Sequence, residues 1–174
     1  MANVPEFNLT GEALRKALIV WVDAADFGSS TPEWEPQGYK TEDASIEFSP
    51  ETTEIVDILG IQHNTVDSLT RTIDFDPNTL RPIGNKGKVN QKLHEFMRRG
   101  MLAELSQFKV LITYGYLPET SNADMYPMCR VVANSLGGSS RVDMPISIAF
   151  GGDPEFGSVD KLTPGLIFTP ENAI

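Results

Sequence analysis

Cysteine is all but missing: Cys129 stands alone among 174 residues. No internal disulfide can form, which fits a reducing compartment. Histidine is nearly as scarce. His63 and His94 lie far apart, with neither an HxxxH nor an HExxH pattern around them, so no zinc pair is spelled out. No apolar run approaches the length of a bilayer span; LIVWV at 18–22 is far too short. The opening MANVPEFNLTGEALRKA lacks the basic start and apolar block of a secretory signal. Nor is there a GxSxG elbow, a Walker loop or a GxGxxG turn. These absences leave the sequence without a disulfide scaffold, a membrane helix or a recognisable catalytic motif.

Basic residues are the next shortage. The net charge is −10, and it is unevenly spread. Residues 1–80 carry −11, residues 81–117 carry +5 and residues 118–174 carry −4. Tight nucleic-acid binding needs a surplus of lysine and arginine, so this balance disfavours it. Solvated faces account for most such clusters. Opposite blocks on one chain also suit a protein that associates with copies of itself.

Helical periodicity is rare too. One stretch has it: Val89, Leu93, Phe96, Met97, Met101 and Leu105 recur at offsets that align on one side of a 3.6-residue helix. The spacing predicts a helix over 89–102. It is followed by a strand over 107–117, rich in β-branched and aromatic residues with Lys109 its only charge. Everything else reads as strands and turns. Residues 1–16 form a leading arm with a short helical turn at 11–16, and 17–23 (ALIVWVD) form a short apolar strand. Pro32, Pro36, Gly28 and two serines make 26–37 a loop, with Trp34 as an anchor on the body or on a neighbour.

Ala44, Ile46 and Phe48 alternate with polar residues, which predicts a half-buried strand ended by a turn at Ser49, Pro50 and Glu51. A second segment, 52–59, stops at Gly60, and 61–76 follows as a strand with many Thr, Asp, Asn and Gln positions. Residues 77–88 are a loop rich in Pro, Gly and Asn. Strands are expected at 125–133, 141–150 and 165–169, with Pro127 and Pro145 marking edges or bulges. The turn 134–140 joins the first two, and 151–162 is a loop. The whole reads as one mainly-β domain over 1–174, a β-sandwich or half-barrel flanked by one principal helix.

Chemistry is hard to find. DFDPN at 74–78 resembles the opening of a calcium loop, but Thr79 and Asn85 occupy positions that need glycine and a bidentate glutamate. The turn LGGSSR at 136–141 could cradle an anion in its backbone amides, but a tight turn between two strands is the better reading of it. A carboxylate pair acting as acid and base stays open, with nothing to single one out. The expectation is a non-enzyme without cofactor or metal, whose exposed strand edges pair with further copies.

Three stretches carry a resemblance: YKTEDASIEFSPETTEIVDILG (39–60), KLHEFMRRGMLAELSQFKVLITYGY (92–116) and SLGGSSRVDMPISIAFGGD (135–153). They are similar, in order and pattern along most of the chain, to the major tail tube proteins of long-tailed bacteriophages of Gram-positive hosts. That resemblance implies a β-sandwich-like domain whose copies form hexameric rings through a continuous inner β-barrel. The rings stack into a tube that conducts DNA to the host, and no catalytic residue is involved. It implies a virion tail protein made in the host bacterial cytoplasm, with itself, tape-measure, tail terminator and distal tail proteins as partners. Double-stranded DNA would pass through without being held.

On that reading the lumen-facing candidates are Glu42, Glu47, Glu54, Asp57, Asp67 and Asp74. The inter-subunit candidates are Trp34, Arg98 and Arg99. The arm 1–16 and the loop 26–37 are candidates for contacts between rings. Alternatives are a tail terminator or neck protein, the tube of a contractile injection system, or a soluble ligand-binding β-sandwich.

Overall fold

A computed structural model describes residues 15–81 and 87–171. A 3-10 turn at Arg15–Ala17 leads into β1 (Leu18–Asp23), followed by β2 (Trp34–Pro36), β3 (Ile46–Val56) and β4 (Gln62–Phe75). The helix α1 (Lys88–Arg99) and a second 3-10 turn (Glu104–Ser106) precede β5 (Phe108–Tyr114) and β6 (Ala123–Ala133). The chain ends through β7 (Ile146–Ala149), β8 (Glu155–Val159) and β9 (Phe168–Pro170).

All pairings among these strands are antiparallel, in the order β2-β1-β5-β6-β7-β4-β3, with β8 on β6 and β9 on β8. The long strand β6 serves two sheets. Its first half pairs with β5 and β8, and its last four residues pair with β7. The bend between the halves has a local cause. The β5–β6 register slips between Phe108 and Val110, opposite Pro127 and Met128, where the proline removes a ladder donor. The bulge expected at Pro127 is therefore present.

The helix forms for the reason its spacing gives. Val89 and Leu93 are fully buried against Phe108, Val131 and Ile148, and Phe96 packs on the same cluster. It stops at Arg99, earlier than the periodicity suggests, because Gly100 takes a left-handed conformation (φ 67°). The amides of Gly100 and Met101 then bond back to the carbonyls of Met97 and Phe96. A second, smaller core holds Trp21, Trp34, Leu111, Val159, Leu162 and Leu166.

Several boundaries differ from the sequence reading. Strand β3 runs through Pro50 without turning. It is an edge strand, so a proline whose nitrogen faces outward removes no bond to a second neighbour. Residues 151–162 are not all loop but contain β8, and β2 lies inside the expected loop 26–37. Only 146–149 of the segment 141–150 is regular strand; Asp143 makes isolated bridges to Thr79 and Gly137. Most of the arm 1–16 lies outside the described residues.

Candidate functional site: a projecting two-faced hairpin

The feature that calls for a function is the hairpin β3–β4. Only residues 72–75 of β4 pair with β7. Arg71 still accepts the Phe150 amide at 3.0 Å, and the other nine residues, 62–70, extend beyond the body with β3 alone for company. At roughly 3.3 Å per residue the projection is about 30 Å long. Every residue from 47 to 56 and from 62 to 70 is exposed. A lone two-stranded ribbon is marginal in water, so a hairpin of this length implies something that covers it.

Its tip is a three-residue loop of Ile58, Leu59 and Gly60. The Gly60 amide bonds to the Asp57 carbonyl at 3.0 Å, and Gly60 sits at φ 77°, the left-handed position such a loop requires. Asp57 holds the loop from below. One carboxylate oxygen accepts the amides of Leu59 (2.8 Å) and Ile61 (3.0 Å), and the other lies 3.0 Å from Nε2 of His63. The contact with His63, then the amide of Ile61, keeps the Asp57 carboxyl below its ordinary value.

The two faces differ in chemistry. Register alternation places Phe48, Val56, Val66 and Leu69 on the face continuous with the body's core, where Ile46 meets Ile73. All four are large apolar residues exposed in the single chain; Phe48 keeps 62% of its surface and Val66 67%. They share this side with Pro50, Thr52, Glu54, Gln62, Asn64 and Arg71. The opposite face carries Glu47, Ser49, Glu51, Thr53, Thr65, Asp67, Ser68, Thr70 and Thr72, with Ile55 and His63 toward the tip. It is laced by short-range bonds. Thr53 and Thr65 donate to Asp67, and Ser68 donates to Glu51 at 3.0 Å. The same face continues over the body through Asp74, Ser147, Ala149, Arg130 and Val132. Its ionised groups are four carboxylates and one guanidinium, with the imidazole of His63 near the tip.

Of the six acidic candidates for the lumen, Glu47, Asp67 and Asp74 share this face. Glu51 joins them although sequence reading left it out. Glu54 points to the other face, where it accepts a bond from Gln62. Asp57 belongs to the tip, and Glu42 sits in the segment before β3. Among the contact candidates, Trp34 is 6% exposed inside the second core and offers no surface to a neighbour, which corrects that expectation. Arg98 and Arg99 are exposed on the last turn of α1, both paired with Glu95.

Among the described residues, two strand edges of the hairpin sheet have no partner strand. One is the outer edge of β3. The other is residues 130–133 of β6, beyond the point where β5 pairs. Elsewhere, among the described residues, no group of three or more His, Cys, Asp or Glu side chains converges as a metal site. Cys129 is buried, and burial pushes its thiol up to about 11.

No family model matches the sequence, and no curated protein is similar to it. Solved structures are. A chain from the tail of an empty gene transfer agent particle, determined with C6 symmetry, superposes with a TM-score of 0.57 at 13% identity, over 84% of this chain and 100% of that one. A chain from the virion of a native gene transfer agent particle gives a TM-score of 0.52 at 11% identity, over the same 84% and 100%. A chain of the sheath–tube complex of an extracellular contractile injection system gives 0.48 at 12% identity, over 91% and 92%. At these identities the likeness is one of fold: the chain is a mainly antiparallel β protein with one flanking helix, built like a chain of the gene transfer agent tail.

Proposed function

We propose that this chain is a structural virion protein that assembles with copies of itself into stacked rings, forming a tail tube through which double-stranded DNA leaves the particle. The observation that carries this reading is the β3–β4 hairpin, which is exposed on both faces in one copy; one side is mixed and holds Phe48, Val56, Val66 and Leu69, and the other is mostly acidic and hydroxyl-rich. A ring supplies what each side lacks. Copies joined between the β3 edge of one and the free β6 edge of the next would close the sheet into a barrel and leave no open edge. The C6 symmetry of the structurally similar tail supports six copies per ring.

The acidic face suits a conduit. A wall that carries DNA past it must not hold phosphates, and each lysine or arginine contact would strengthen binding. With Glu47, Glu51, Asp67 and Asp74 against the single Arg130, the face repels a polyanion on balance. The protein acts by assembly and not by catalysis. Its partners in the particle are further copies of itself, with tape-measure, tail terminator and distal tail proteins at the ends of the tube. Residues 1–16 are proposed to add contacts between rings.

Electron microscopy of the purified protein, at rising concentration, tests the reading. Rings or tubes with an open bore are expected. A strict monomer at millimolar concentration would overturn it.

A further inference from the structure

Arg130 is the only cation in the acidic face where it crosses the body, and it is exposed. Among the described residues neither its guanidinium nor the Glu47 carboxylate has a hydrogen-bond or ion-pair partner. The two share one cross-strand row, through Ala149 and Thr72, but stand three strand spacings apart. That is roughly 14 Å, too far for a contact within one copy. We propose that Arg130 of one copy seats opposite Ser49 of the next, between Glu47 and Glu51, and so fixes the register in which the ring closes. The inference rests on the self-assembly reading and adds the register and its determinant to it.

Backbone parity limits the choices. In an antiparallel strand both polar groups of a residue point to one side, and successive residues alternate. The Asp57 amide bonds to the Ile61 carbonyl and the Phe150 amide to the Arg71 carbonyl, so odd-numbered residues of β3 bond inward to β4. Phe48, Pro50 and Thr52 turn their backbone groups to the unpartnered edge. On β6 the amides of Met128 and Asn134 bond toward the β7 side, to Gly151 and Pro145. Val131 and Ala133 therefore serve the other edge. The four strands alternate in direction, so β6 of one copy meets β3 of the next antiparallel. Val131 and Ala133 then face even-numbered residues of β3, and Arg130 faces an odd-numbered one.

Pro50 removes two of these registers. It has no amide, so placing it opposite Val131 or Ala133 leaves a carbonyl without its bond. Those are the registers with Arg130 opposite Glu51 or Thr53. Closure removes a third. Arg130 opposite Glu47 gives no stagger, because the two already share a row within the copy, and a closed barrel needs one.

Charge decides between what is left, Ser49 and Ile55. Opposite Ser49, the guanidinium has Glu47 and Glu51 as diagonal neighbours on its own face, within reach of a long side chain. Opposite Ile55 it has an apolar partner, with Thr53 on one diagonal and Asp57, already engaged by His63, on the other. The Ser49 register neutralises the one guanidinium of the wall at every joint, so the bore offers a polyanion no free arginine there.

Cysteine pairs read the register on the full chain. Arg130 and Ser49 would form a pair whose backbone groups point away from each other, the closely spaced kind whose Cβ atoms suit a disulfide. Arg130→Cys is combined in turn with Ser49→Cys, Glu51→Cys, Thr53→Cys and Ile55→Cys, and assembled material is oxidised; Cys129 is buried. The Ser49→Cys pair should give a ladder of linked multimers, at least tenfold above the other three. A ladder dominated by any other pair would overturn the register and leave self-assembly intact. Arg130→Glu should keep the melting temperature of the wild type and raise the concentration needed for rings at least tenfold, and adding Glu51→Arg should restore it. Rings from Arg130→Glu at the wild-type concentration would also overturn the proposal. A wild-type chain that forms no rings at all would overturn the assembly reading, and this joint with it.

Discussion

The carboxylate of Glu35 caps the helix that begins more than fifty residues later: its oxygens accept the amides of Val89 at 2.9 Å and of Lys88 at 3.3 Å. The residue before the helix is Gly87, which has no side chain to do so. A helix N-terminus leaves amides without partners and favours a negative charge. Glu35 supplies both acceptor and charge from β2, beside Glu33, which pairs with Lys88 Nζ at 2.8 Å. Replacing Glu35 by alanine should lower stability by about 1–2 kcal/mol, within the usual range for a lost cap. Urea denaturation followed by the helical signal checks this, and Glu35→Gln should recover part of the loss.

A second buried bond ties β1 to β5. The indole N–H of Trp21 donates to the Thr113 hydroxyl at 2.9 Å, where both residues are almost fully buried. Thr113→Val keeps the bulk and removes the acceptor, leaving a buried donor unpaired. That should cost about 1–3 kcal/mol. Thr113→Ser, which keeps the hydroxyl, should cost less, as read from the denaturation midpoint.

Cys129 gives a pH test. Burial holds its thiol near 11, above the ordinary value. A folded-state value raised in this way favours the protonated thiol, so its contribution to stability is complete below the ordinary thiol pKa. That contribution is lost as pH rises from there toward 11. The wild type should therefore lose stability with a steeper alkaline slope than Cys129→Ala. A thiol reagent at pH 8 should leave the folded protein unmodified and label it fully in urea.

Gly157 tests the edge of the second core. A Cβ there would meet the carbonyl oxygen of Thr169 at 2.2 Å and the Phe168 ring at 2.7 Å. Backbone cannot yield to that contact without moving β9. Gly157→Ala should lower the thermal midpoint, at a cost of about 1–3 kcal/mol, while the pairing of β5 with β6 persists.

The helix was legible because its stripe is long and amphipathic, but the stripe carried its expected end to 102, past Gly100, whose left-handed conformation closes it at Arg99. The cap at its start was not legible, since nothing local marks Glu35 as a partner of Val89. Pro50 misled for a physical reason: proline signals a turn unless its strand lies at an edge, and edges exist only in the assembled sheet. The acidic face was legible in composition and not in detail. Between Glu51 and Thr52 the register shifts, and Asp67 is the extra residue. Straight alternation along β4 puts Asp67 on the apolar side; the bulge turns it to the side of Thr53 and Thr65. Glu54 shows the reverse error, an acidic residue grouped by composition with carboxylates it does not face. Trp34 was weighed between its own body and a neighbour, and tertiary packing against Trp21 and Leu111 decided for the body.

The hairpin's thin attachment to β7 also sets how the molecule behaves before it meets its copies. Opening a ribbon wetted on both sides disturbs little of either core, so in dilute solution it should exchange amide protons and admit proteases far below the threshold for global unfolding. Engagement by neighbours would raise that threshold by mass action. The body's melting point would then be indifferent to dilution while the ribbon's protection climbs with concentration, giving one polypeptide two separately governed lifetimes.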